Sequence, residues 1–389
     1  MIPYGKQNIT DKDIATVVDV LKSDFITQGP RVQQFEQAIA DYCQAQHVVA
    51  ANSATSALHI ACQALNLQQG DWLWTSPISF VASANCGRYC GAQVDFVDID
   101  ATTVNICPQK LANKLDIAER EGKLPKVLVV VHMAGLSCDM QAISKLAKRY
   151  KFAIIEDASH AIGGQYQGKP VGNCQYSDIS IFSFHPVKII TTAEGGVAVT
   201  NNTELARKMR LYASHGVTRD QENFQNGIYE PWYYEQQYLG QNYRMTELQG
   251  ALGISQLDRI DDIIEQRNLL ATRYQKALSG LPLCWQQPQS DSLSAYHLFI
   301  IRLDDNAKLN RSELFHALRA QNIGVNVHYI PIHTQPDYQR LGFKPGDFPA
   351  AEYYYQGALS LPLYPELTNE AFEHIVTTLR ALLCDSTSE

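Results

Sequence analysis

Two short runs of apolar residues in the first half of the chain place the tightest limit on its fold. They span residues 127–131 and 152–155 and contain no polar side chain. A strand that is apolar on both faces must be covered on both faces, as the inner strands of a parallel sheet are. Amphipathic helical stretches separate these runs from other short apolar runs, which is the pattern of βαβ units. We therefore predict a large doubly wound, mostly parallel α/β domain.

The alternation also predicts where the elements of this domain lie. Strands are expected at residues 47–51, 72–75, 94–97, 127–132, 152–156, 179–184 and 196–199, and helices at 53–65, 81–90, 108–121 and 140–150. Residues 216–243 are aromatic and polar with little periodicity, so we predict a long functional loop there.

A smaller C-terminal α+β domain is predicted after this loop. A long helix over 245–278 leads into it, followed by strands at 296–303 and 325–329 and helices at 312–321 and 369–383. The predicted division of the chain is an N-terminal arm at 1–30, the large domain at 31–244, and the linking helix with the small domain at 245–389.

Composition and charge exclude several classes of function. The chain has 389 residues, a net charge of −8 and no stretch rich in lysine or arginine, so nucleic acid and anionic membrane surfaces are not expected partners. The apolar runs are too short to cross a bilayer and the N-terminus is polar, so we expect a cytoplasmic protein. Cys86 and Cys90 would share a helix face, but two thiols alone are weak evidence for zinc, and no metal site is predicted.

Three polar segments directly follow predicted strands, at the sheet edge where open α/β domains bind ligands. Residues 52–58 begin a helix with small and hydroxyl-bearing residues, which suits either a phosphate group or an ordinary helix cap. Asp157 and His160 follow the second apolar run. Lys188 lies between an apolar strand and a Gly-Gly turn, where burial would lower the pKa of its amine.

Together these segments predict a pyridoxal phosphate site. That cofactor needs a lysine amine to form an imine, an acid beside its pyridine nitrogen, a cup for its phosphate and an apolar or aromatic face against its ring. Lys188 would supply the amine and Asp157 the acid. Ala54, Thr55 and Ser183 would form the phosphate cup, and Phe80 would provide the aromatic face.

One segment imitates a different phosphate site. Residues 163–169 fit the GxxxxGK pattern of a nucleotide-binding loop, but Pro170 stands where a serine or threonine should hold magnesium. Proline also removes a backbone N–H donor. We therefore predict a hairpin between strands here and not nucleotide hydrolysis.

Taken in order along the chain, these motifs resemble the DegT/DnrJ/StrS family of nucleotide-sugar aminotransferases, which have the fold type I, aspartate aminotransferase-like architecture. The resemblance covers nearly the whole chain. It rests on residues 52–58, 75–82, 156–163, 182–188, 194–196, 214–216, 242–245 and 327–329.

The resemblance implies a role for each matching residue. Lys188 would bond to pyridoxal phosphate, Asp157 would pair with the pyridine nitrogen, Phe80 would stack on the ring, and His160 would lie beside it. The phosphate would be held by Ala54, Thr55 and Ser183, and by Asn242 from the neighbouring subunit of a homodimer with shared active sites. Candidates for binding the sugar nucleotide are Tyr4, Lys6, Arg31, His185, Tyr243, Arg244 and His328.

The resemblance also implies a substrate. Segments 77–82, 190–196 and 327–332 are most similar to family members that transfer an amino group from L-glutamate to C4 of UDP-4-keto-6-deoxy-N-acetyl-β-L-altrosamine, in pseudaminic acid biosynthesis. The aromatic loop at 229–238 departs from the family pattern and could reshape the sugar pocket. Another keto nucleotide sugar, such as the D-gluco 4-keto epimer, stays open. Sugar dehydration is disfavoured, because family dehydratases carry a histidine in place of Lys188.

Overall fold

A computed structural model describes residues 1–288 and 291–384 of the protein. Its strands are β1 (His47–Ala51), β2 (Trp72–Thr75), β3 (Gln93–Phe96), β4 (Val127–Val131), β5 (Ala153–Asp157), β6 (Gln165–Tyr166), β7 (Lys169–Pro170), β8 (Ile179–Ser183), β9 (Gly196–Thr200), β10 (Val217–Thr218), β11 (Glu235–Gln236), β12 (Leu283–Trp285), β13 (Ser292–Leu293), β14 (Phe299–Leu303) and β15 (Ala358–Leu361). Its α-helices are α1 (Asp11–Leu21), α2 (Pro30–Cys43), α3 (Ala54–Ala64), α4 (Ala82–Tyr89), α5 (Pro108–Glu121), α6 (Met140–Tyr150), α7 (Thr203–Ala213), α8 (Glu247–Leu257), α9 (Ile260–Leu278), α10 (Arg311–Ala320), α11 (Pro336–Gln339), α12 (Pro349–Gly357) and α13 (Asn369–Leu383).

The central element is a seven-stranded sheet with the order β1-β9-β8-β5-β4-β2-β3. Strands β8, β5, β4, β2 and β3 pair in parallel, whereas β9 runs antiparallel to both of its neighbours. The predicted mostly parallel α/β fold is confirmed.

Strand β4 shows why its sequence is apolar throughout. Val127 and Val129 belong to a core formed with α3, α4 and α7, while Leu128 and Val130 belong to a core formed with α5 and α6. All of these side chains have no exposed surface. Because successive side chains of a strand point to opposite faces, both faces of the sheet are covered, as predicted.

A second, three-stranded antiparallel sheet, β12-β14-β15, packs against α9, α10 and α13. The strand predicted at 325–329 is wrong, because this stretch makes only an isolated bridge between Asn326 and Ser360. The sequence analysis missed two strands of this sheet, β12 and β15. Val325 is buried in the same core, so the apolar pattern that suggested a strand reflects burial without strand pairing.

The single helix predicted at 245–278 is also wrong, since it is divided into α8 and α9. Helix α8 begins with a capping box between Thr246 and Gln249. The break falls at Asp258 and Arg259, and it directs Arg259 towards the fully buried Asp13, with 2.6 Å between Nη2 and Oδ2. An ion pair to the N-terminal segment thus accompanies the interruption. Helices α1, α2, α7, α11 and α12 were not predicted.

The segment that imitates a nucleotide-binding loop is a hairpin, as predicted. Tyr166 of β6 pairs with Lys169 of β7, and the two residues between them have positive φ angles.

Residues 216–243 are mostly irregular, apart from the short pair β10-β11 and one turn of 3₁₀-helix. Among the described residues, no helix combines the length and apolar character needed to cross a membrane.

The division into segments 1–30, 31–244 and 245–389 stays a prediction. Residues 289–290 and 385–389 of the last segment lie outside the described residues. Helix α8, which the prediction assigns to that segment, packs with α2 in a core that also contains Phe182 of β8.

Leu314 of α10 provides a test of the small core. It has no exposed surface, whereas Leu341 is 53% exposed. We expect Leu314→Ala to lower the free energy of unfolding by about 2–5 kcal/mol, because it removes buried methyl groups and leaves a cavity. The matched Leu341→Ala variant should change it by less than about 0.5 kcal/mol. Urea denaturation measures both, and equal effects would contradict the packing described.

Candidate active site

A cavity of about 340 Å³ opens at the carboxyl ends of the parallel strands. Val131, Asp157 and Ser183 line it, and they end β4, β5 and β8. The first turn of α3 forms another wall. This is the edge where an open α/β sheet binds ligands.

Asp157 presents a carboxylate that is fixed by neighbouring hydroxyl groups. Its side chain is 6% exposed. Oδ2 accepts a 2.6 Å hydrogen bond from the Ser83 hydroxyl, and Oδ1 accepts bonds from the Ser159 hydroxyl at 2.6 Å and the Ser159 amide at 3.2 Å. The Ser83 hydroxyl lies 2.6 Å from that of Ser79. The carboxylate is therefore an acceptor held in one orientation.

Lys188 lies in the connection between β8 and β9 and lines the same cavity as Asp157. Its amide donates to the carbonyl of His185, which closes a tight turn. Burial lowers the pKa of the Lys188 amine to about 8, and the negative charge of Asp157 opposes that shift. A larger fraction of uncharged, nucleophilic amine is therefore present at neutral pH than for an exposed lysine.

The N-terminus of α3 forms a cup for an anion. Ser53 caps the helix by accepting from the Ser56 amide, and the amides of Ala54 and Thr55 occupy the first turn, where a helix has no internal partners for them. Gly196 of β9 lies against this turn, since a Cβ there would come within 2.4 Å of the Ala54 nitrogen. Because Gly196 has no side chain, the backbone of β9 can lie close to this turn without a clash.

A group of aromatic and imidazole rings also lines the cavity. Nδ1 of His160 accepts from the Ala134 amide, and Nε2 lies 3.1 Å from the Tyr329 hydroxyl. The ring of His297 lies 4.4 Å from that of His160, and its Nδ1 is a buried atom without a hydrogen-bond partner. Burial holds the pKa of both histidines well below the usual range, with Lys188 contributing to both shifts, so both rings are neutral.

His328 belongs to the same group. Its Nδ1 lies 2.7 Å from the hydroxyl of Ser360, and burial, with a contribution from Lys188, lowers the pKa of the imidazole to about 3. The buried guanidinium of Arg267 donates to the carbonyls of Tyr296 and His297, and it thereby holds the backbone that carries His297.

The structure brings ten of the predicted site residues together and leaves five apart. Lining the cavity are Tyr4, Ala54, Thr55, Phe80, Asp157, His160, Ser183, His185, Lys188 and His328. The five that lie outside the cavity are Lys6, Arg31, Asn242, Tyr243 and Arg244.

Three of these five residues have side-chain partners outside the cavity. Arg31 donates to Gln34, the Tyr243 hydroxyl lies 3.1 Å from Nδ1 of His59, and Arg244 donates to Ser214. The side chains of Lys6 and Asn242 are exposed. The described residues of the aromatic loop at 229–238 also lie outside the cavity.

Sequence reasoning missed several lining residues. Those with polar side chains are Ser53, Ser79, Ser159, Glu194, His297 and Tyr329. Ser53 and Ser159 lie inside motifs that the sequence analysis already singled out. Their position beside predicted site residues could have identified them. His297 has no such signal, because only the folded chain brings residue 297 beside His160. Tyr329 directly follows the predicted His328.

Comparison with known proteins agrees with this geometry. The sequence pattern of the DegT/DnrJ/EryC1/StrS aminotransferase family matches residues 7–380. The chain belongs to this family.

Members of this aminotransferase family include close relatives of the chain. It is 38% identical to the spore coat polysaccharide biosynthesis protein SpsC of Bacillus subtilis over 98% of this chain and 97% of the relative. It is 37% identical to the UDP-4-amino-4,6-dideoxy-N-acetyl-β-L-altrosamine transaminase of Campylobacter jejuni over 98% of each. Helicobacter pylori PseC, an aminotransferase involved in pseudaminic acid biosynthesis, has a TM-score of 0.90 and 32% identity, covering 98% of this chain and 99% of PseC.

The chain is therefore a pyridoxal phosphate-dependent sugar aminotransferase. The residues present fit the cofactor. The cavity combines a lysine amine of lowered pKa, a hydrogen-bonded carboxylate and a helix N-terminus. Gly196 lies against that helix N-terminus, where a side chain would clash with the Ala54 amide. Phe80 is 59% exposed at the cavity and offers an aromatic face. Among the described residues, no cluster of three or more metal-ligating side chains occurs.

The lowered pKa of Lys188 predicts a pH dependence of its reactivity. In cofactor-free protein, labelling of Lys188 by trinitrobenzenesulfonate should accelerate about tenfold per pH unit below pH 8 and level off above it, since only the uncharged amine reacts. Asp157→Asn should move the midpoint to lower pH, because the carboxylate raises the pKa of the amine. Peptide mass spectrometry follows the label. A midpoint near pH 10.5 would contradict the buried environment of Lys188.

Proposed function

We propose that the protein transfers an amino group from L-glutamate to C4 of UDP-4-keto-6-deoxy-N-acetyl-β-L-altrosamine. The observation that carries the reaction type is the shared cavity of Lys188 and Asp157, in which an amine of lowered pKa lies near a fixed carboxylate. The names of the Campylobacter and Helicobacter relatives, together with segments 77–82, 190–196 and 327–332, support the substrate.

The chemistry divides between the cofactor and this chain. When bound, pyridoxal phosphate supplies an aldehyde that carries the amino group and a pyridine ring that withdraws electrons. Asp157 would accept a hydrogen bond from the protonated ring nitrogen, because the hydroxyl groups of Ser83 and Ser159 donate to its carboxylate and hold it in one orientation. The amides of Ala54 and Thr55 would bind the phosphate at the positive end of α3.

Lys188 moves the proton in both halves of the reaction. Its uncharged Nζ would take the proton from the α-carbon of glutamate and pass it to the cofactor carbon that receives the amino group, so that 2-oxoglutarate leaves without that proton. In the second half the direction is reversed, and Nζ delivers a proton to C4 of the sugar. A pKa near 8 allows the amine to act in either direction at neutral pH.

His160 and Tyr329 form a second hydrogen-bonded pair at the cavity. Because Nδ1 of His160 accepts from the Ala134 amide, the proton of the neutral ring lies on Nε2 and is donated to the Tyr329 oxygen. The hydroxyl proton of Tyr329 is thereby free to be donated into the cavity. We assign this pair to orienting the bound cofactor or sugar.

Charge supports a homodimer with shared sites. The cavity is lined by two carboxylates, Asp157 and Glu194, and by one amine, Lys188, and its described lining contains no arginine. A cofactor phosphate and a UDP diphosphate need more positive charge than this. Arg31, Asn242 and Arg244 lie at the surface of their own protomer, and a second copy could bring them to the cavity. We also place the protein in the cytoplasm, because a reducing compartment keeps its nine cysteines free.

A different keto nucleotide sugar is the second candidate. The Bacillus relative, at 38% identity, is named for spore coat polysaccharide biosynthesis, so relatives of similar identity carry different names. Sugar dehydration is less favoured, because Lys188 is present at the position where family dehydratases are expected to have histidine.

A spectral titration tests the substrate. The purified, cofactor-loaded protein should lose its visible absorption band on addition of UDP-4-amino-4,6-dideoxy-N-acetyl-β-L-altrosamine, and 2-oxoglutarate should restore it. The D-gluco 4-amino epimer is the matched control and should bleach the band at least about tenfold less efficiently. Bleaching by L-glutamate without bleaching by the altrosamine would contradict the substrate and leave the aminotransferase intact.

Replacement of the proposed proton carrier tests the mechanism. Lys188→Ala should reduce kcat at least about a thousandfold, since it removes both the covalent partner of the cofactor and the proton carrier. Lys169→Ala is the control, because Lys169 is an exposed lysine on the β6-β7 hairpin, and it should leave kcat unchanged. Coupled detection of 2-oxoglutarate measures both variants. Near-normal turnover by Lys188→Ala would overturn the assigned role.

A further inference from the structure

Arg267 of α9 is a buried cation that binds backbone instead of an acid. Its side chain is 2% exposed. Burial lowers the pKa of the guanidinium to about 10, against the opposing charge of Glu366, so the group stays charged at neutral pH. Nη1 donates to the carbonyls of Tyr296 and Leu363, each at 3.1 Å, and to that of His297 at 3.3 Å. Because a buried charge is unfavourable unless polar groups compensate it, the guanidinium and these carbonyls fix one another's positions.

The backbone that carries His297 forms a strained turn. Tyr296 has a φ of 43°, in the left-handed region that a side chain as large as tyrosine rarely adopts. A Cβ at Gly135 would come within 2.8 Å of the Tyr296 nitrogen, and the Ala295 amide donates to the Gly135 carbonyl at 3.0 Å. A strained turn persists only where its surroundings determine it, and here Gly135 and Arg267 supply those contacts.

The third carbonyl connects Arg267 to the N-terminal segment. The amide of Leu363 donates to the carbonyl of Tyr4 at 3.1 Å, and the amide of Gly324 donates to the carbonyl of Ile2 at 2.6 Å. These bonds hold main chain to main chain, so the place of the Tyr4 ring depends on where residue 363 lies. Arg267 therefore reaches Tyr4 through a single intervening residue.

Tyr4 and His297 line a part of the cavity that the proposed cofactor groups do not occupy. Lys188 and Asp157 lie at the strand ends of the large sheet, whereas Tyr4 comes from the N-terminal segment and His297 precedes β14. A cofactor held at the strand ends and at the first turn of α3 leaves Tyr4 and His297 to face the substrates. We call these two residues the substrate wall.

We propose that Arg267 is a positioning residue, which holds the substrate wall in place through its backbone so that the wall can bind the substrates. Arg267 does not itself line the cavity. A planar guanidinium with several donors suits three converging carbonyls better than an ammonium group does. Loss of Arg267 should therefore weaken substrate binding and leave the chemistry at Lys188 intact.

Hydrogen exchange of the cofactor-loaded protein tests the positioning without any substrate. In Arg267→Met, the amides of Ala295 and Leu363 should exchange at least about tenfold faster, because their backbone loses its anchor. The Ala57 amide of α3, which donates to the Ser53 carbonyl, is the internal reference and should be unchanged. Peptide mass spectrometry measures all three. Unchanged exchange at both sites, or equal acceleration at all three amides, would overturn the proposal.

Steady-state kinetics test the effect on the substrates. Arg267→Met should raise KM for both substrates about tenfold and change kcat less than about threefold, since a displaced wall weakens binding while Lys188 and Asp157 stay in place. Arg273→Met is the matched control, because Arg273 lies on the same helix with a side chain that is 40% exposed, and it should leave both constants unchanged. A fall in kcat with unchanged KM, or no change in either constant, would contradict the role.

Two further variants separate positioning from a general loss of stability. Arg267→Lys keeps the charge and some donors, so its KM should lie between those of the unaltered protein and Arg267→Met, and it carries the exchange test if Arg267→Met does not fold. In a chain with Tyr4→Ala and His297→Ala, Arg267→Met should raise KM less than about twofold further, and a tenfold rise there would overturn the proposal. The kinetic tests rest on the proposed function. An unaltered protein that does not turn over the proposed substrates contradicts that function, while hydrogen exchange still decides the role of Arg267.

Discussion

The hydrogen-bonded carboxylate of Asp157 is the interaction on which the site depends. A buried carboxylate is stable only if its oxygens have partners, and Ser83 and Ser159 provide them. These bonds join the end of β5 to α4 and fix where the negative charge lies. Lys188 lines the same cavity, and in the proposed mechanism the pyridine nitrogen of the cofactor would bind to this carboxylate.

The parallel sheet explains why these residues meet. Strands β5 and β8 pair directly in parallel, so the residues that follow both of them emerge at one edge. The other wall comes from residues far away in the sequence. Arg267 binds the carbonyls beside His297, and His328 is held by Ser360 of β15. The region that carries the small antiparallel sheet therefore supplies three of the rings at the cavity, those of His297, His328 and Tyr329.

Much of this could be predicted from local sequence. The apolar run of β4 predicted a doubly covered sheet, and the residues directly after strands predicted Asp157 and Lys188. The errors arose where tertiary contacts decide. Val325 is buried without strand pairing, and the break before α9 accompanies the ion pair between Arg259 and Asp13. His297 reaches the cavity only because distant segments pack together, which no local pattern encodes.

The central claim is that Asp157 keeps the cofactor's ring nitrogen protonated. It is tested most directly by nitrogen NMR of the protein loaded with pyridoxal phosphate that carries ¹⁵N in its ring. The account predicts the chemical shift of a protonated pyridine nitrogen at neutral pH, and its loss in Asp157→Ala. An unprotonated nitrogen in the unaltered protein, or protonation that persists in Asp157→Ala, would contradict the account.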